Sequence, residues 1–208
     1  AAEKIIATIA HPLNRPHFDP KKKIVTEGYG ILQPRLAVSL NRNKNSWYAK
    51  MFENSPGIDP YTRAVSDVYQ DLMKQGSFIG KGIYDIDAFE CALNDRFPEN
   101  RILSHDLLEG CYARSGLIND VQLFEEYPVN YLADMQRRHR WIRGDWQIGR
   151  WLFPGVPGPE KHNNRNPLTA LSRWKIFDNL RRSLVYPALL FLLLFGWLIS
   201  DTPWFWTI

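Results

Sequence analysis

Two arginines and a tryptophan in the pattern Arg137-x-x-Arg140-Trp141 are the residues best suited to chemistry in this sequence. If Asn130 caps a helix that begins at Tyr131, all three lie at i, i+3 and i+4 on one helical face. An arginine fork donates paired hydrogen bonds to phosphate, and an indole ring packs against a sugar or a base. The pattern therefore predicts a surface that binds an anion and a flat ring together. The alternative is a basic helix whose arginines contact lipid headgroups.

Two further motifs precede this cluster. Gly80-x-Gly82 lies in a glycine-bearing turn, which by itself is a common structure. Asp106 follows Ser104 and His105 at the start of a predicted helix. Taken alone, it is a first-turn carboxylate that the helix dipole favours.

The elements that must position these motifs alternate between strand and helix. Apolar patterning predicts strands at residues 5–10, 28–39 and 121–126. Caps and glycine stops predict helices at residues 61–75, 86–94, 104–114 and 130–151, with Gly76 ending the first and Gly116 the third. Residues 11–23 are predicted to be a loop. The alternation predicts an α/β sheet with too few strands to complete it, so we expect further strands upstream.

Composition limits what the chain can be. Its 208 residues, 45% of them hydrophobic, suffice for one domain and a membrane appendage. Cys91 and Cys111 have no metal-ligand spacing and give no disulfide framework, so we expect a reducing cytosolic setting. The net charge of +4 fits anionic lipid or a nucleotide and does not require nucleic acid. The start at Ala1, just before an apolar run, suggests an excised piece of a longer protein.

The C-terminal part has the composition of a membrane attachment. Residues 184–199 are a mostly apolar run, shorter than the roughly 20 residues of a usual span, so a buried core helix is the alternative. Basic residues precede the run and aromatic residues follow it, as in positive-inside loops and an aromatic belt. These flanking residues are Arg173, Lys175, Arg181, Arg182, Trp197, Trp204, Phe205 and Trp206. The sequence therefore predicts a main domain, a linker, an amphipathic interfacial helix and a transmembrane segment, at residues 1–153, 154–167, 168–183 and 184–208.

The glycine turn, the carboxylate and the Arg-x-x-Arg-Trp cluster occur in a fixed order before the membrane segment. In this order the chain resembles the acceptor half of a processive membrane glycosyltransferase of the cellulose and hyaluronan synthase type. Four segments make it similar to the glycosyltransferase domain of cyclic β-1,2-glucan synthases in particular. These segments are residues 11–16, 30–35, 57–62 and 80–85. The resemblance covers nearly the whole chain and implies a partial GT-A-like, Rossmann-like α/β domain at residues 1–153.

The resemblance implies roles for the first two motifs. Asp106 stands where the family has the aspartate of Thr-Glu-Asp, which implies a general base for the acceptor hydroxyl. His105 stands where the family has glutamate, and we expect it to tune or assist that base. Gly80 and Gly82 are expected to let the backbone approach the acceptor end closely.

The third motif matches the Gln-x-x-Arg-Trp sequence of the family, with Arg137 in place of glutamine. The implied roles are contacts from Arg137 and Arg140 to the nucleotide diphosphate and from Trp141 to the acceptor sugar. The implied reaction transfers glucose from UDP-glucose to a growing β-1,2-glucan, with inversion, at the cytoplasmic face of the inner membrane.

The family is reported to build its glucan on a protein tyrosine. Tyr61, at a predicted helix start in a segment able to move, is our candidate for this acceptor. Tyr29, Tyr69 and Tyr84 are the alternatives, and an ordinary packed tyrosine is the simplest reading of each.

A divalent metal, Mg²⁺ or Mn²⁺, is implied for the full-length enzyme, with its Asp-x-Asp ligands upstream of this chain. We interpret Asp85-x-Asp87 as a helix start, because Asp85 stands where a cap is expected. The expected partners are UDP-glucose, the glucan acceptor, the membrane and the remaining domains of the parent protein, without nucleic acid. The fragment alone is expected to be inactive. The alternative function is a non-catalytic membrane-anchored module that binds anionic lipid or a protein partner.

Overall fold

The computed structural model describes residues 1–38, 46–52, 67–103, 105–159, 163–199 and 201–206. These residues form a mixed α/β structure with three small sheets, so the predicted α/β class is confirmed. The strands are β1 His17–Asp19, β2 Ile24–Glu27, β3 Ile31–Val38, β4 Ile83–Tyr84, β5 Ser115–Glu125, β6 Gly155–Pro157 and β7 Asn163–Arg165. The α-helices are α1 Ala2–Ala10, α2 Trp47–Phe52, α3 Val68–Met73, α4 Ile86–Leu93, α5 Asp106–Tyr112, α6 Tyr131–Ile148, α7 Ala170–Ser183 and α8 Val185–Ile199. Short 3-10 turns span Pro12–Asn14, Gly149–Leu152 and Pro203–Trp206.

The central sheet has the strand order β4-β3-β5, with β5 parallel and β4 antiparallel to β3. Its parallel ladder shifts register between Pro34 and Arg35. A proline has no backbone N–H to donate, so an irregularity in the ladder is where it is tolerated. The long predicted strand at residues 28–39 is confirmed as β3 from Ile31 onward.

Adjacent residues of β3 face the two sides of this sheet, as the two-residue period of a strand requires. Ile31 belongs to the main core, together with Phe78, Leu108 and Trp151. Leu32 belongs to a smaller cluster on the other side. Both faces of the sheet are therefore covered.

The N-terminal apolar run is a helix, and our prediction of a strand at residues 5–10 is wrong. Ile5 and Ile9 lie four residues apart on α1, and both pack against the cluster around Leu32. A short apolar run fits either periodicity, and contact with the sheet decides between them.

The predicted loop at residues 11–23 is also wrong in part, because β1 pairs with β2 in an antiparallel hairpin. The Asp19 carboxylate accepts hydrogen bonds from the backbone N–H groups of Lys21 and Lys22, at 2.8 and 3.1 Å. Lys23 has a φ of 54°, which completes the reversal. An aspartate that binds the backbone two and three residues ahead favours such a turn.

Two predicted helices end or begin elsewhere. Asp67 is extended and caps α3 by accepting from Tyr69 N, so a continuous helix at residues 61–75 is wrong. Lys74, with a φ of 53°, ends α3 before Gly76. The helix predicted at residues 104–114 ends at Tyr112, and Gly116, its predicted stop, lies inside β5. Pairing with β3 draws this segment into the sheet, which a local pattern does not reveal.

Helices α4 and α6, each capped by the side chain at its own N-terminus, lie where the sequence predicts them. Asp85 Oδ1 accepts from Ala88 N at 3.0 Å and opens α4. Asn130 Oδ1 accepts from Ala133 N at 2.8 Å and opens α6. Capping by a side chain three residues upstream satisfies an N–H group that the helix leaves unpaired. Both helices were predicted within three residues of their observed ends.

The segment predicted as a linker contains the hairpin of β6 and β7, and the helix after it packs on the core. Val156 and Ile176 belong to the same buried cluster as Trp151.

Lys175 is buried and donates to the carbonyls of Gln75, at 3.0 Å, and Gly76, at 2.7 Å. Our placement of Lys175 among the basic residues of a positive-inside flank is therefore wrong, because this ammonium is buried and uses these two carbonyls as its acceptors.

Helix α8 exposes most of its apolar side chains, including Phe191 and Leu198. Within the described residues, no single helix is long and apolar enough to cross a membrane. Helices α7 and α8 pass that test together, as a pair bent by 46° at the break between them.

The buried pair of Trp151 and Tyr112 provides a test of this core. Trp151 Nε1 donates to Tyr112 Oη at 3.1 Å, and both residues are at most 2% exposed. Replacing Tyr112 with phenylalanine leaves the indole N–H buried without its acceptor, so we expect a loss of about 1–3 kcal/mol in the free energy of unfolding. Urea denaturation of the chain, followed by circular dichroism, measures this. The same substitution at the exposed Tyr186 is the control, and an equal effect in both variants would contradict the prediction.

Candidate active site

The glycine turn lies directly against the Asp106 carboxylate. Gly80 has a φ of +88°, and a Cβ atom there would lie 2.9 Å from Asp106 Oδ2 and 3.0 Å from its Cγ. Glycine alone adopts this conformation readily and leaves room for the carboxylate. Two of the predicted site residues, far apart in sequence, are thus brought together.

Gly82 has a different environment. A Cβ atom at Gly82 would lie 2.6 Å from the carbonyl oxygen of Leu32. This glycine therefore allows the turn to lie against β3. It helps to fix the path of the turn, while Gly80 meets the carboxylate.

His105 is paired with a residue that the sequence analysis missed. Its Nδ1 atom lies 2.6 Å from Glu109 Oε1, one helical turn further along α5. Its ring stacks on Phe97, with centroids 6.2 Å apart. The hydrogen bond to Glu109 raises the pKa of His105, partial burial opposes this, and the charges of Glu109 and Asp106 raise it further. The i, i+4 spacing from His105 was the signal that could have identified Glu109.

Tyr84 belongs to an aromatic cluster near the carboxylates of Asp106 and Glu109. Its ring meets Phe78 and Phe89 edge-on, at centroid distances of 5.9 and 4.8 Å. Burial, followed by the charges of Glu109 and Asp106, raises the pKa of its phenol. One of our alternative acceptor tyrosines therefore lies within reach of the Asp106 charge.

The arginine and tryptophan of the third motif lie on α6, as the spacing predicts. The Arg137 guanidinium lies over the Trp141 ring, 4.7 Å from its centroid, and over the Tyr127 ring at 5.4 Å. Arg140 is exposed on the same helix. The helix thus presents a cation held against an indole ring, an arrangement that stabilises the cation by the ring quadrupole.

A buried carboxylate anchors this cation. Asp134 is fully buried, and its Oδ1 accepts from Arg137 Nη2 at 2.9 Å. Its Oδ2 accepts from Arg138 Nε at 2.8 Å, from Tyr48 Oη at 2.8 Å and from Tyr127 Oη at 3.2 Å. Burial would raise the pKa of Asp134, but these hydrogen bonds and the Arg138 charge outweigh it and hold the pKa below its ordinary value. Asp134 is not among the site residues predicted from the sequence.

Lys81, in the glycine turn, is near enough to α6 to experience the charge of Arg137. Partial burial, and then the charge of Arg137, lowers the pKa of the Lys81 ammonium. Its side chain also contacts the Glu125 carboxylate at the end of β5. The loop before α5 meets the same helix, since Leu103 N donates to Gln147 Oε1 at 2.8 Å. The carboxylate motif and the arginine motif therefore lie on neighbouring elements.

Two predicted residues cannot be placed in this geometry. Tyr61 and Ser104 lie outside the described residues. Helix α2, which precedes the Tyr61 segment along the chain, contacts the arginine cluster through the hydrogen bond of Tyr48 to Asp134.

Two groups of carboxylates are possible ligands for the divalent metal that the resemblance implies. Asp85 uses its Oδ1 atom to cap α4, as the sequence analysis expected. Within the described residues, His105, Asp106 and Glu109 bring potential ligand atoms within 4.8 Å of one another. The Nδ1 atom of His105 is already paired with Glu109, so this group is better described as an ion pair beside a carboxylate.

Comparison with known proteins shows that the chain is similar to a segment of a glucan synthase. It is 47% identical over 205 residues, 98% of its length, to the cyclic beta-(1,2)-glucan synthase NdvB of Rhizobium meliloti (strain 1021). The resemblance predicted from the sequence is thereby confirmed. The aligned segment is 7% of the length of that synthase, so the chain corresponds to a small part of it. No family model matches the chain.

The His105–Glu109 pair generates a prediction about pH. Because the folded pKa of His105 is raised, we expect its imidazole to titrate above the ordinary value of about 6.5. The stabilisation from this pair is then complete below about pH 6.5 and is lost as the pH rises through the folded pKa. An NMR titration of the chain, with the Glu109→Gln variant for comparison, measures the midpoint.

In Glu109→Gln we expect the His105 midpoint to fall towards its ordinary value, because the paired carboxylate is gone. The Glu3→Gln variant, which changes an exposed carboxylate of α1, is the control and should leave the His105 midpoint unchanged. A His105 midpoint that is the same in both proteins would contradict the pairing.

Proposed function

We propose that the parent protein of this chain transfers glucose from UDP-glucose to the end of a growing β-1,2-glucan, with inversion at the anomeric carbon. This chain supplies the acceptor half of a GT-A-like glycosyltransferase domain. The observation that carries the proposal is the 47% identity to a glucan synthase along nearly the whole chain. The approach of Gly80 to Asp106, and the cation held against Trp141, give that homology a plausible chemical site.

In this proposal Asp106 is the general base. Its carboxylate takes the proton of the acceptor hydroxyl while the hydroxyl oxygen forms a bond to the anomeric carbon of glucose. The bond from that carbon to the diphosphate breaks at the same time, and UDP leaves with the electron pair. The close approach of Gly80 limits the space beside the carboxylate, which favours one direction of approach for the acceptor.

Arg137 and Arg140 stabilise the leaving diphosphate, and Trp141 packs against the acceptor sugar. Negative charge develops on the diphosphate as its bond breaks, so fixed cations beside it lower the barrier. The Arg137 guanidinium lies over the Trp141 ring, so this cation and the ring that packs against the sugar are adjacent. The exposed Arg140 on the same helix adds a second cation.

The acceptor tyrosine, the metal and the membrane location complete the proposal. Tyr61 is the primer on which the glucan starts, and Tyr84, near the Asp106 charge, is its main rival.

A divalent cation bound by residues upstream of this chain supplies further charge to the diphosphate when bound. The exposed apolar surface of α8 supports attachment to the inner membrane, with the transferase part on the cytoplasmic side. The isolated chain has no transferase activity of its own, because the donor half is elsewhere in the parent.

The base assignment is tested by Asp106→Asn in the full-length protein. The amide cannot accept the proton, so we expect incorporation of labelled glucose from UDP-glucose to fall by roughly 10²- to 10⁴-fold. Asp87→Asn, which changes an exposed first-turn carboxylate of α4, is the matched control and should keep its activity.

Undiminished transfer by the Asp106→Asn variant would remove Asp106 as the base. A wild-type protein that binds anionic vesicles but transfers no glucose would instead favour the non-catalytic membrane module.

A further inference from the structure

We propose that Asp134 is a positioning residue that holds Arg137 against the nucleotide diphosphate. This inference rests on the proposed function, because it assigns the diphosphate to Arg137. It adds a residue that lies outside the Arg-x-x-Arg-Trp motif and that contacts no substrate itself.

The argument starts from the burial of the Asp134 carboxylate. The residue is 0% exposed, and a carboxylate without water requires several donors to remain ionised. It receives them from α2, from the segment after β5 and from its own helix, through Tyr48, Tyr127, Arg137 and Arg138. Three parts of the chain therefore fix its position.

The two oxygens of Asp134 have different partners. Oδ2 accepts from the Arg138 side chain and from the two tyrosine hydroxyl groups. Oδ1 accepts from Arg137 Nη2. The carboxylate is thus a rigid support on one side and an anchor for Arg137 on the other.

The Arg137 side chain is anchored by Asp134 and still has N–H donors for an anion. Its guanidinium lies over the rings of Tyr127 and Trp141, and a quarter of the side chain remains exposed. Its Nε atom is buried and has no hydrogen-bond partner within the part of the chain that the structure describes. A guanidinium has five N–H donors, so one anchoring bond leaves others for an anion. A single orientation of the fork suits the paired hydrogen bonds that phosphate accepts.

Because the two oxygens of Asp134 have different partners, we expect Asp134→Asn to affect the bond to Arg137 more than the bonds to the other three donors. An asparagine has one carbonyl oxygen, and the three donors on the Oδ2 side compete for it against the single donor from Arg137. The NH₂ group then faces Arg137, where two donors repel each other. The variant therefore releases Arg137 while the bonds to Tyr48, Tyr127 and Arg138 persist.

The test measures UDP affinity of the full-length protein by calorimetry, for wild type, Asp134→Asn, Arg137→Ala and the double variant. We expect Asp134→Asn to weaken UDP binding by roughly tenfold to a hundredfold, because the fork loses its orientation. The double variant should bind UDP no more weakly than Arg137→Ala alone, because both changes remove one coupled function.

Tyr48→Phe is the matched control for a general weakening of the hydrogen bonds around the Asp134 carboxylate. It deletes a hydroxyl group from the Oδ2 side and leaves the Oδ1 bond to Arg137 intact. We expect a lower thermal midpoint with UDP affinity within about twofold of wild type, a combination that a merely structural role of Asp134 would not produce.

Two results overturn the inference in distinguishable ways. UDP binding by wild type together with unchanged affinity in Asp134→Asn, or an additive double variant, overturns the positioning role alone. A wild-type protein that binds no UDP overturns the proposed function and the role of Asp134 with it.

Discussion

The parallel pairing of β3 with β5 is the constraint on which the rest of the structure depends. Parallel neighbours cannot be joined by a tight turn, so the chain between them must leave the sheet and return. This crossover is tied to the sheet at several points, among them the bond from Gly76 N to the Ser115 carbonyl and the pairing of Ile83 with β3. The glycine turn is held between these two points, which is why Gly80 meets the first turn of α5 at Asp106.

A second constraint comes from charge inside α6. A buried carboxylate is stable only when it is paired, so Asp134 fixes Arg137 and ties the helix to Tyr48 and Tyr127. The Arg137 charge in turn reaches Lys81 in the glycine turn. The glycine turn is therefore close to the Asp106 carboxylate through Gly80 and to the Arg137 charge through Lys81.

The features that were predicted correctly from the sequence depend on contacts between residues close together in the chain. The cap at Asn130 and the motif spacing gave α6 and the face shared by Arg137 and Trp141, because the interacting groups lie within one helical turn. The N-terminal helix and the burial of Lys175 were mispredicted, because contacts with distant segments decide them. Within the site, Asp134 is three residues from Arg137, a spacing that could have identified it. Its partner Tyr48 is 86 residues away, and no local pattern indicates that contact.

The position of UDP in the full-length protein is the most direct measurement of whether the two motifs serve one reaction. A cryo-electron microscopy map of the UDP complex should place the diphosphate about 3 Å from the guanidinium of Arg137 or Arg140. Trp141 and the carboxylate of Asp106 should then face the same cleft. A diphosphate bound away from α6, or an Asp106 carboxylate turned to the opposite side of the glycine turn, would contradict the account.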